Sequence, residues 1–294
     1  MNDSNSHESG FVVVDKEPGW TSHDVVARAR KKLNTRKVGH SGTLDPPATG
    51  ILILGVGRAT RLLKFITDLP KRYTATMVLG AETTTLDAEG EITNVQSVKG
   101  VSLENLRQVA TQFEGSILQT PPMVSAVKVD GKRLYEIARE GREIERKPRL
   151  VHVYELTIEH TPEKNIYKIH VTCGSGTYIR SLVSDLAQAA GTIAHVGSLR
   201  RNSIGSFNDS HANTIEEIEV IRMERGLRDY SQIVVNDEDA DLIRVGNIFQ
   251  ENHFDLQGLP EPWAFTDEQG NLLAMYKLHK GGTIKPDVVI PADS

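Results

Sequence analysis

Residues 37–50 read KVGHSGTLDPPATG and place one carboxylate, Asp45, inside a loop rich in glycine and proline. Pro46 restricts Asp45 to an extended backbone, because a proline ring disfavours the helical region for the residue before it. Three glycines of the stretch can adopt positive φ or allow close approach of another segment: Gly39, Gly42 and Gly50. A basic helical pattern, RARKKLNTRK, precedes the stretch, and an apolar run, ILILGVG, follows it. The loop therefore fixes Asp45, near His40, between a helix and a buried strand.

Local chemistry gives two interpretations of Asp45. A carboxylate that is held this firmly can be presented to a substrate as a reacting group. An Asp in a Gly/Pro loop also commonly accepts hydrogen bonds from its own turn, which is a purely structural task. The residues of the loop alone leave both interpretations open.

The composition is that of an ordinary globular protein. The chain has 294 residues, of which 38% are hydrophobic and 25% charged, and this length allows one large domain and a small one. The single cysteine, Cys173, excludes an internal disulfide and a zinc site made of cysteines alone. No apolar run has the length of a membrane span and no signal peptide is present, so we expect a cytoplasmic protein.

The net charge of −5 is unevenly distributed along the chain. Residues 1–208 carry about +5 and residues 209–294 about −10. Three groups of basic side chains stand out: Arg28, Arg30, Lys31, Lys32, Arg36 and Lys37; Lys128, Lys132, Arg133, Arg139, Arg142, Arg146, Lys147 and Arg149; and Arg200 with Arg201. Such groups favour contact with nucleic-acid phosphates, because the local field matters more than the total charge. The alternative is that each group is a solvated charged face.

Hydrophobic periodicity predicts strands alternating with helices. The predicted strands are residues 11–16, 51–56, 73–80, 150–160 and 166–173. The predicted helices begin after Ser22 as N-cap, at residue 57, after Ser102 as N-cap, and near Tyr178, the last ending at Gly191. Residues 209–232 are acidic and are also expected to be helical. Residues 233–294 contain short β-prone pieces between Gly/Pro turns, which indicates a small β-rich unit.

Several longer motifs resemble one known family. GHSGTLDPPATGIL resembles GHxGTLDPxATGxL, the signature of the TruB family of tRNA pseudouridine synthases. Five further motifs resemble the family in the same order: DKEPGWTSHDVV, KRYTATMVLGAETTTLDAEG, TPPMVSAVKVDGKRLYEIAREG, CGSGTYIRSLVSDL and HVGSLRR. Together they span about residues 11–205, which is far more specific than any one motif. The chain departs from the family pattern at Glu17, where a proline is usual, and at Thr84, where an aspartate is usual.

The resemblance implies an α/β (α+β) fold with a large, mostly antiparallel mixed sheet. We expect a polar, disordered tail at residues 1–10 and a catalytic domain at residues 11–232. Within that domain, a thumb insertion is expected at about residues 119–149, and LYEIAREG predicts a short helix inside it. Residues 233–294 resemble the small PUA-like domain that many family members carry.

The resemblance also implies a reaction, the isomerisation of uridine 55 in the T-loop of tRNA to pseudouridine. This reaction breaks the N1–C1′ bond, rotates the base and joins it again through C5. It needs no redox step and no energy input, so no cofactor and no metal are expected, and the sequence has no P-loop or zinc pattern. We expect a monomer that acts on tRNA without an obligatory protein partner.

The family's site residues transfer to matching positions of this chain. Asp45 becomes the catalytic carboxylate, Arg180 its ion-pair partner and Tyr73 the base or proton relay. Asp45 can attack C1′ or stabilise charge while a glycal forms, and the sequence leaves both routes open. The target uridine must be flipped out of the RNA. The remaining expected substrate contacts are His40, Tyr178, Leu199, Lys16, Lys132, Arg133 and Arg142.

Two other functions fit part of this pattern. A non-catalytic tRNA-binding or tRNA-folding module would use the same basic surface but would not need Asp45. A guide-RNA-dependent pseudouridine synthase shares the Asp motif, but it would lack the full thumb and would need partner proteins.

Overall fold

The structure is a computed structural model that describes residues 9–125 and 144–291, and the backbone alone at residues 128–129 and 132–133. The predicted tail lies almost entirely outside the described residues, and the predicted thumb helix lies wholly outside them. The side chains of Lys132, Arg133 and Arg142 also lie outside the described part, so the expectation that they bind the substrate stays a prediction.

The described helices and strands alternate along most of the chain. The helices are α1 Ser22–Lys32, α2 Leu63–Asp68, α3 Leu103–Ala110, α4 Ile179–Ala189, α5 Met223–Gly226 and α6 Asp237–Arg244, with 3-10 turns at Gly57–Leu62, Thr111–Phe113, Asp209–His211 and Glu251–His253. The strands are β1 Gly10–Lys16, β2 Val38–His40, β3 Thr49–Val56, β4 Lys71–Leu79, β5 Ala81–Thr83, β6 Ile92–Val95, β7 Gly115–Gln119, β8 Lys128–Val129, β9 Lys132–Arg133, β10 Arg149–His160, β11 Ile166–Cys173, β12 Ala194–Ile204, β13 Phe207–Asn208, β14 Ile221–Arg222, β15 Gln232–Val234, β16 Phe249–Gln250, β17 Trp263–Thr266, β18 Leu272–His279 and β19 Thr283–Val289.

A ten-stranded sheet forms the centre of the fold. Its main path runs β14-β1-β3-β12-β4-β11-β10-β7, while β2 pairs with β3 and β13 with β12. All of these pairs are antiparallel except β12 with β3, which is parallel at Arg200↔Thr49 and Arg201↔Gly50. The predicted large, mostly antiparallel mixed sheet is therefore confirmed, and the short parallel pairing joins its two halves.

Strand β1 shows why this sheet is buried on both faces. Its valines alternate, since side chains of a strand point to opposite faces in turn. Val12 and Val14 pack with Val25, Val26 and other residues of α1 on one face. On the other face, Phe11 and Val13 pack with α2 and with part of the C-terminal sheet. β1 is apolar on both faces because each face packs against another apolar part of the protein.

The other half of the sheet carries α3 and α4 on one face. Their apolar side chains, among them Leu106, Leu182 and Leu186, share a cluster with inward residues of β4, β10, β11 and β12. This packing places the N-terminus of α4, and with it Arg180, at the middle of the sheet beside the Asp45 loop.

A second sheet has five strands in the order β15-β17-β18-β19-β16. One apolar cluster of this sheet includes Trp263, Phe265, Tyr276 and Ile243 of α6. A different set of its residues, including Leu272 and Met275, belongs to the same cluster as Phe11 of the large sheet. The two sheets therefore share an apolar core instead of meeting only through a linker.

Two local predictions are wrong. The N-cap of α1 is Thr21, not Ser22: the Thr21 hydroxyl accepts from the Asp24 amide, and the Asp24 carboxylate accepts from the Thr21 amide. This reciprocal pair satisfies two helix-end donors, and Ser22 instead bonds the Asp45 loop. Residues 209–232 are mostly turns and short strands, with only a 3-10 turn and the four-residue α5 as helix. Ile215 and Ile218 of this segment pack on the core beside α1. Their spacing in the sequence resembles that of a helix, but the backbone that carries them is irregular.

The other predicted helices and strands that fall in the described residues are confirmed within two or three residues, including Ser102 as the N-cap of α3. No helix in the described ranges is long and apolar enough to cross a membrane.

Candidate active site

The Asp45 loop is tied down on several sides. The Ser22 hydroxyl accepts a hydrogen bond from the Leu44 amide at 2.9 Å and lies 3.3 Å from the Leu44 carbonyl oxygen. The first residue of α1 therefore fixes the residue before Asp45. The Pro46 carbonyl, one residue after Asp45, accepts from the Gly19 amide at 2.8 Å. The Ala48 amide donates to the Asp45 carbonyl at 3.0 Å, which closes a turn. The backbone on both sides of Asp45 is therefore fixed.

Two glycines allow this loop to pack. Gly42 has φ of 141° and Gly50 has φ of 102°, a region that L side chains rarely adopt. A Cβ at Gly50 would stand 2.2 Å from the Arg201 carbonyl oxygen, so the parallel pairing of β3 with β12 requires glycine there.

Asp45 pairs directly with Arg180. Arg180 Nη2 lies 2.9 Å from Asp45 Oδ2, and the Arg180 side chain is only 4% exposed. The Asp45 side chain keeps 35% of its surface open, so one side of the carboxylate can still meet a ligand. The structure thus brings together two predicted residues that are 135 positions apart in the chain.

Arg180 is held in place by three other groups. Its Nη1 donates to the Thr85 carbonyl at 2.7 Å and its Nη2 to the Val124 carbonyl at 2.8 Å. A second carboxylate, Asp87, lies 3.4 Å from Nη1. A planar guanidinium with several fixed partners cannot rotate away, so Arg180 is aimed at Asp45 before any substrate arrives.

The protonation of Asp45 is set by opposing effects. Burial raises the pKa of Asp45 above its ordinary value, and the negative charge of Asp87 acts in the same direction. The Arg180 guanidinium opposes this rise by favouring the ionised form. The site therefore keeps a carboxylate in surroundings that make it more basic than a surface aspartate.

Tyr73 and Leu199 lie beside each other on the large sheet, and both pack on the apolar cluster of α3 and α4. Tyr73 belongs to β4 and pairs with Arg201 of β12, while Leu199 pairs with Ala75. Burial raises the pKa of the Tyr73 phenol, and the Asp45 charge adds to that rise. Tyr73 therefore lies within electrostatic reach of Asp45 and is a neutral phenol at ordinary pH.

Tyr178 is the residue just before α4 and is half-buried. Its backbone exchanges hydrogen bonds with the Gln119 side chain, at 2.7 Å from the Tyr178 amide and 3.1 Å to the Tyr178 carbonyl. Burial raises the pKa of the Tyr178 phenol, and Asp45 and Arg180 both influence it. The Gln119 bonds fasten Tyr178 to the last residue of β7, and Tyr178 lies within electrostatic range of Asp45 and Arg180.

His40 ends strand β2, five residues before Asp45. Its Nδ1 accepts from the Gly42 amide at 3.3 Å, and its ring stands edge-on to His23 of α1, with centroids 5.4 Å apart. The position of this ring is therefore set by both the loop and α1.

Lys16 takes a different position from a typical RNA-contacting lysine. Its side chain is 1% exposed, and its Nζ donates to the carbonyls of Glu17, Trp20 and Pro46 at 2.8 to 3.1 Å. Burial lowers the pKa of Lys16 to about 8, against the opposing effect of Asp45. All three ammonium protons hold the backbone, including the residue that follows Asp45.

Several basic side chains that were expected to bind phosphates are buried or paired with carboxylates in the described residues. Arg201 is only 2% exposed and cannot be a surface cation. Arg200 pairs with Asp15 at 2.9 Å and Asp209 at 2.6 Å. Arg28 pairs with Glu216 at 2.7 Å. The acidic segment after residue 208 therefore neutralises basic groups that the sequence pattern assigned to phosphates.

Sequence reasoning missed three groups around the site. Asp87 occurs in a resembling motif, but its pairing with Arg180 is visible only in the fold. Lys71 and Arg201 are buried cations: Lys71 lies two residues before Tyr73 on β4, and Arg201 lies opposite Tyr73 on β12. One signal was available for Arg201: it is separated by two positions from the inward-facing Leu199, so strand alternation puts both on the same face.

The described residues include no cluster of three or more His, Cys, Asp or Glu that could hold a metal ion. The polar groups that the fold assembles around Asp45 include the Asp87 carboxylate, the Arg180 and Arg201 guanidinium groups and the phenols of Tyr73 and Tyr178.

Such a site on a mixed sheet defines a class of proteins, and sequence comparison identifies it. The profile of the TruB family pseudouridylate synthase N-terminal domain matches residues 30–179. The profile of the tRNA pseudouridylate synthase B C-terminal domain matches residues 180–235. The chain belongs to the TruB family of pseudouridylate synthases.

Individual relatives agree with this assignment. The chain is 39% identical to the tRNA pseudouridine synthase B of Shouchella clausii, over 96% of this chain and 98% of the relative. It is 48% identical to that of Rhodococcus jostii, over 71% of this chain and 70% of the relative. Among solved structures, a chain of a Cbf5-Nop10-Gar1 complex is similar at a TM-score of 0.71 and 26% identity, covering 96% of this chain and 85% of the other.

Proposed function

We propose that this protein isomerises uridine to pseudouridine at position 55 in the T-loop of tRNA. The observation that carries the proposal is the ion pair between the partly exposed Asp45 and the buried Arg180, with 2.9 Å between Asp45 Oδ2 and Arg180 Nη2. The relative from Shouchella clausii, which carries the name tRNA pseudouridine synthase B, aligns with this chain over almost its whole length. The T-loop position itself follows from the family resemblance.

Asp45 is the catalytic residue of this proposal. Breaking the N1–C1′ bond develops positive charge on the sugar, as in glycoside hydrolysis, and an adjacent carboxylate stabilises that charge. The carboxylate must be ionised, and the Arg180 guanidinium favours that state although burial opposes it. Asp45 acts either as a nucleophile at C1′ or as the stabilising charge beside a glycal.

Tyr73 is the proposed base. After the base rejoins the sugar through C5, the proton on C5 must leave, and its electron pair returns to the ring. A phenolate oxygen can accept this proton. Because burial raises the pKa of Tyr73, only a small fraction of it is phenolate at neutral pH.

The remaining residues bind and position. Tyr178 and Leu199 form walls for the flipped-out uridine, because aromatic and apolar faces hold an unstacked base. His40 fills the gap that the uridine leaves in the RNA. Lys16, with its three bonds to carbonyls, holds the Asp45 loop and does not contact RNA directly.

The wider organisation is proposed from the same reasoning. Residues 11–232 form the catalytic domain, residues 119–149 its thumb, and residues 233–294 a small PUA-like domain. The protein acts in the cytoplasm as a monomer on tRNA, without an obligatory protein partner.

The direct test is incubation of the purified protein with an unmodified tRNA transcript and mapping of pseudouridine. We expect conversion of the T-loop uridine without any added cofactor or metal. A transcript with cytidine at that position is the matched control and should give no product.

Two other outcomes would each replace this proposal. Binding of tRNA with no conversion of the uridine would indicate a tRNA-binding or tRNA-folding module. Conversion that appears only with an added guide RNA would indicate a guide-dependent synthase.

The thumb provides a separate test of RNA binding. Replacing Lys132, Arg133 and Arg142 by Glu together should weaken tRNA binding and flatten its dependence on salt. Each lost phosphate contact lowers the slope of log K against log salt by about 0.9. Filter binding over a salt series measures this, with Arg28→Glu as control because Arg28 already pairs with Glu216. If the slope of log K against log salt is unchanged in the triple variant, these three side chains are solvated and do not contact phosphates.

A further inference from the structure

Arg201 is a buried cation whose presence needs an explanation. It is the largest of the fully buried side chains, at 2% exposure. Within the described part of the chain, its guanidinium forms no ion pair with a carboxylate. Two of its donors bond neutral backbone oxygens, Nε to Ile51 at 2.7 Å and Nη2 to Gly42 at 3.3 Å. A buried charge without a counter-ion is unfavourable, so a fold that keeps one has a reason beyond packing.

The surroundings make this cation more unusual. Lys16 and Lys71 are also buried, and the positive charge of Arg201 helps to lower the pKa of each to about 8. The protons of Lys71 have their own acceptors, the carbonyls of Thr67 and Leu69 and the Ser175 hydroxyl. Arg201 has five N–H donors, so after its two backbone bonds it can still bond a further group.

Tyr73 is the residue that faces Arg201 in the sheet. Arg201 and Tyr73 are directly opposite each other in the register of β12 and β4. Burial raises the pKa of the Tyr73 phenol, and the positive charge of Arg201 opposes this larger rise. The bonds to Ile51 of β3 and Gly42 of the Asp45 loop fix the guanidinium from the other side. Arg201 therefore lies opposite Tyr73 and is bonded to the same loop that carries Asp45.

We propose that Arg201 is a positioning residue that aims the Tyr73 phenol at the Asp45 site and stabilises its phenolate. This inference rests on the proposed role of Tyr73 as the base that removes the C5 proton. The phenolate oxygen takes that proton, the C5–H electron pair returns to the uracil ring, and the resulting phenol later releases the proton to water. Arg201 does not contact the substrate in this scheme and acts only through Tyr73.

The other charged groups that face Tyr73 act against the phenolate. Asp45, from the loop, disfavours a second negative charge nearby, and Cys173 of β11 acts in the same direction when ionised. Burial raises the pKa of the Cys173 thiol to about 11, so below that pH the thiol is neutral. Arg201 is thus the group that favours the phenolate, through its positive charge.

The test compares Arg201→Gln, which removes the charge but keeps N–H donors, with Arg201→Lys, which keeps the charge. Ultraviolet titration of tyrosinate, with Tyr73→Phe subtracted in each background, reports the ionisation of Tyr73. We expect Arg201→Gln to raise the pKa of Tyr73 by about one unit. The ascending limb of the single-turnover rate against pH should move by the same amount, a roughly tenfold loss at fixed pH. The affinity for tRNA should not change.

Arg200→Gln is the matched control, because the neighbouring Arg200 pairs with surface carboxylates and faces away from Tyr73. It should leave the titration of Tyr73 unchanged. In a Tyr73→Phe background, Arg201→Gln should cause no further loss of residual rate, since its effect passes through Tyr73.

If Arg201→Gln folds cooperatively and the pKa of Tyr73 does not change, the proposal is overturned. The role of Arg201 would then be to stabilise the fold. If Arg201→Gln does not fold, Arg201→Lys decides: a wild-type Tyr73 titration supports the charge role, and a raised one overturns it. The titration needs no turnover. A failure of the proposed function, seen as absent pseudouridine in the wild type, is therefore distinguishable from a failure of this inference.

Discussion

The two largest sheets bury charge very differently. Among the described residues, the ten-stranded sheet and its loops bury four cationic side chains, each at most 5% exposed: Lys16, Lys71, Arg180 and Arg201. The five-stranded sheet instead buries aromatic rings such as Phe265 and Tyr276, whose ring centroids lie 4.9 Å apart. Its one buried charge in the described residues, Asp267, accepts hydrogen bonds from the Asn271 amide and side chain, which close a turn.

The difference in buried charge indicates that the first region serves activity and the second serves stability. Burying a charge costs free energy, whereas burying an aromatic ring gains it. Four buried cations within one region therefore indicate a site that needs a positive field, here around Asp45 and Tyr73. We expect substitutions in the first region to reduce activity most, and substitutions in the second to reduce stability.

The largest expected effect is that of Asp45→Asn. The amide keeps the size of the side chain but removes the negative charge that both mechanisms require, so turnover should fall by at least about a thousandfold. Pseudouridine mapping and tRNA binding are measured together, and binding should survive. Asp209→Asn is the matched control, because Asp209 also pairs with an arginine but on the surface. Near-normal turnover of Asp45→Asn would remove the basis for separating the two regions.

The next effect tests the apolar region. Met275 of β18 is fully buried, in the cluster that joins the two sheets. Met275→Ala should lower the free energy of unfolding by about 2–5 kcal/mol, because it removes apolar contacts and leaves a cavity. Urea unfolding measures this, and modification of a T-stem-loop below the transition should stay normal.

Leu278→Ala provides the control on the same strand, since Leu278 is 44% exposed. It should change the unfolding free energy by no more than about 0.5 kcal/mol. If Met275→Ala abolished activity while it left the unfolding free energy unchanged, the second sheet would belong to the catalytic site.

The smallest effect concerns the pH dependence of stability. The pKa of Lys16 is lowered to about 8 in the folded protein, whereas an unfolded lysine titrates near 10.4. Between these values the unfolded chain binds more protons, so this lysine makes stability rise with pH from about 8 to about 10. Below pH 8 the buried charge is a constant penalty.

Lys16→Met should remove this rise. We expect the difference in unfolding free energy between wild type and variant to grow in favour of the wild type by about 2 kcal/mol across that window. Urea unfolding at several pH values measures it, with Lys277→Met as control, because Lys277 is an exposed lysine paired with Asp287. A pH-independent difference would show that Lys16 is not buried as a strained cation.

Sequence reasoning worked best where local pattern and tertiary environment agree. β1 and β3 are runs of apolar residues, and α3 begins after Ser102 as predicted. It did not work at residues 209–232, where acidic residues with regularly spaced isoleucines indicated a helix. There the isoleucines pack on the core beside α1, and Glu216 binds Arg28. Such long-range contacts outweigh local propensity and cannot be read from the segment itself.

The sequence by itself determined the Asp45 loop, because Pro46 and the glycines restrict the backbone through local sterics. It also determined the family, through motifs that recur in order over about residues 11–205. Only the tertiary structure decided which cations are buried. Arg200 and Arg201 are adjacent and chemically identical, yet one pairs with surface carboxylates and the other lies beside Tyr73. Strand alternation sends neighbouring side chains to opposite faces, and what covers each face depends on residues far away in the chain.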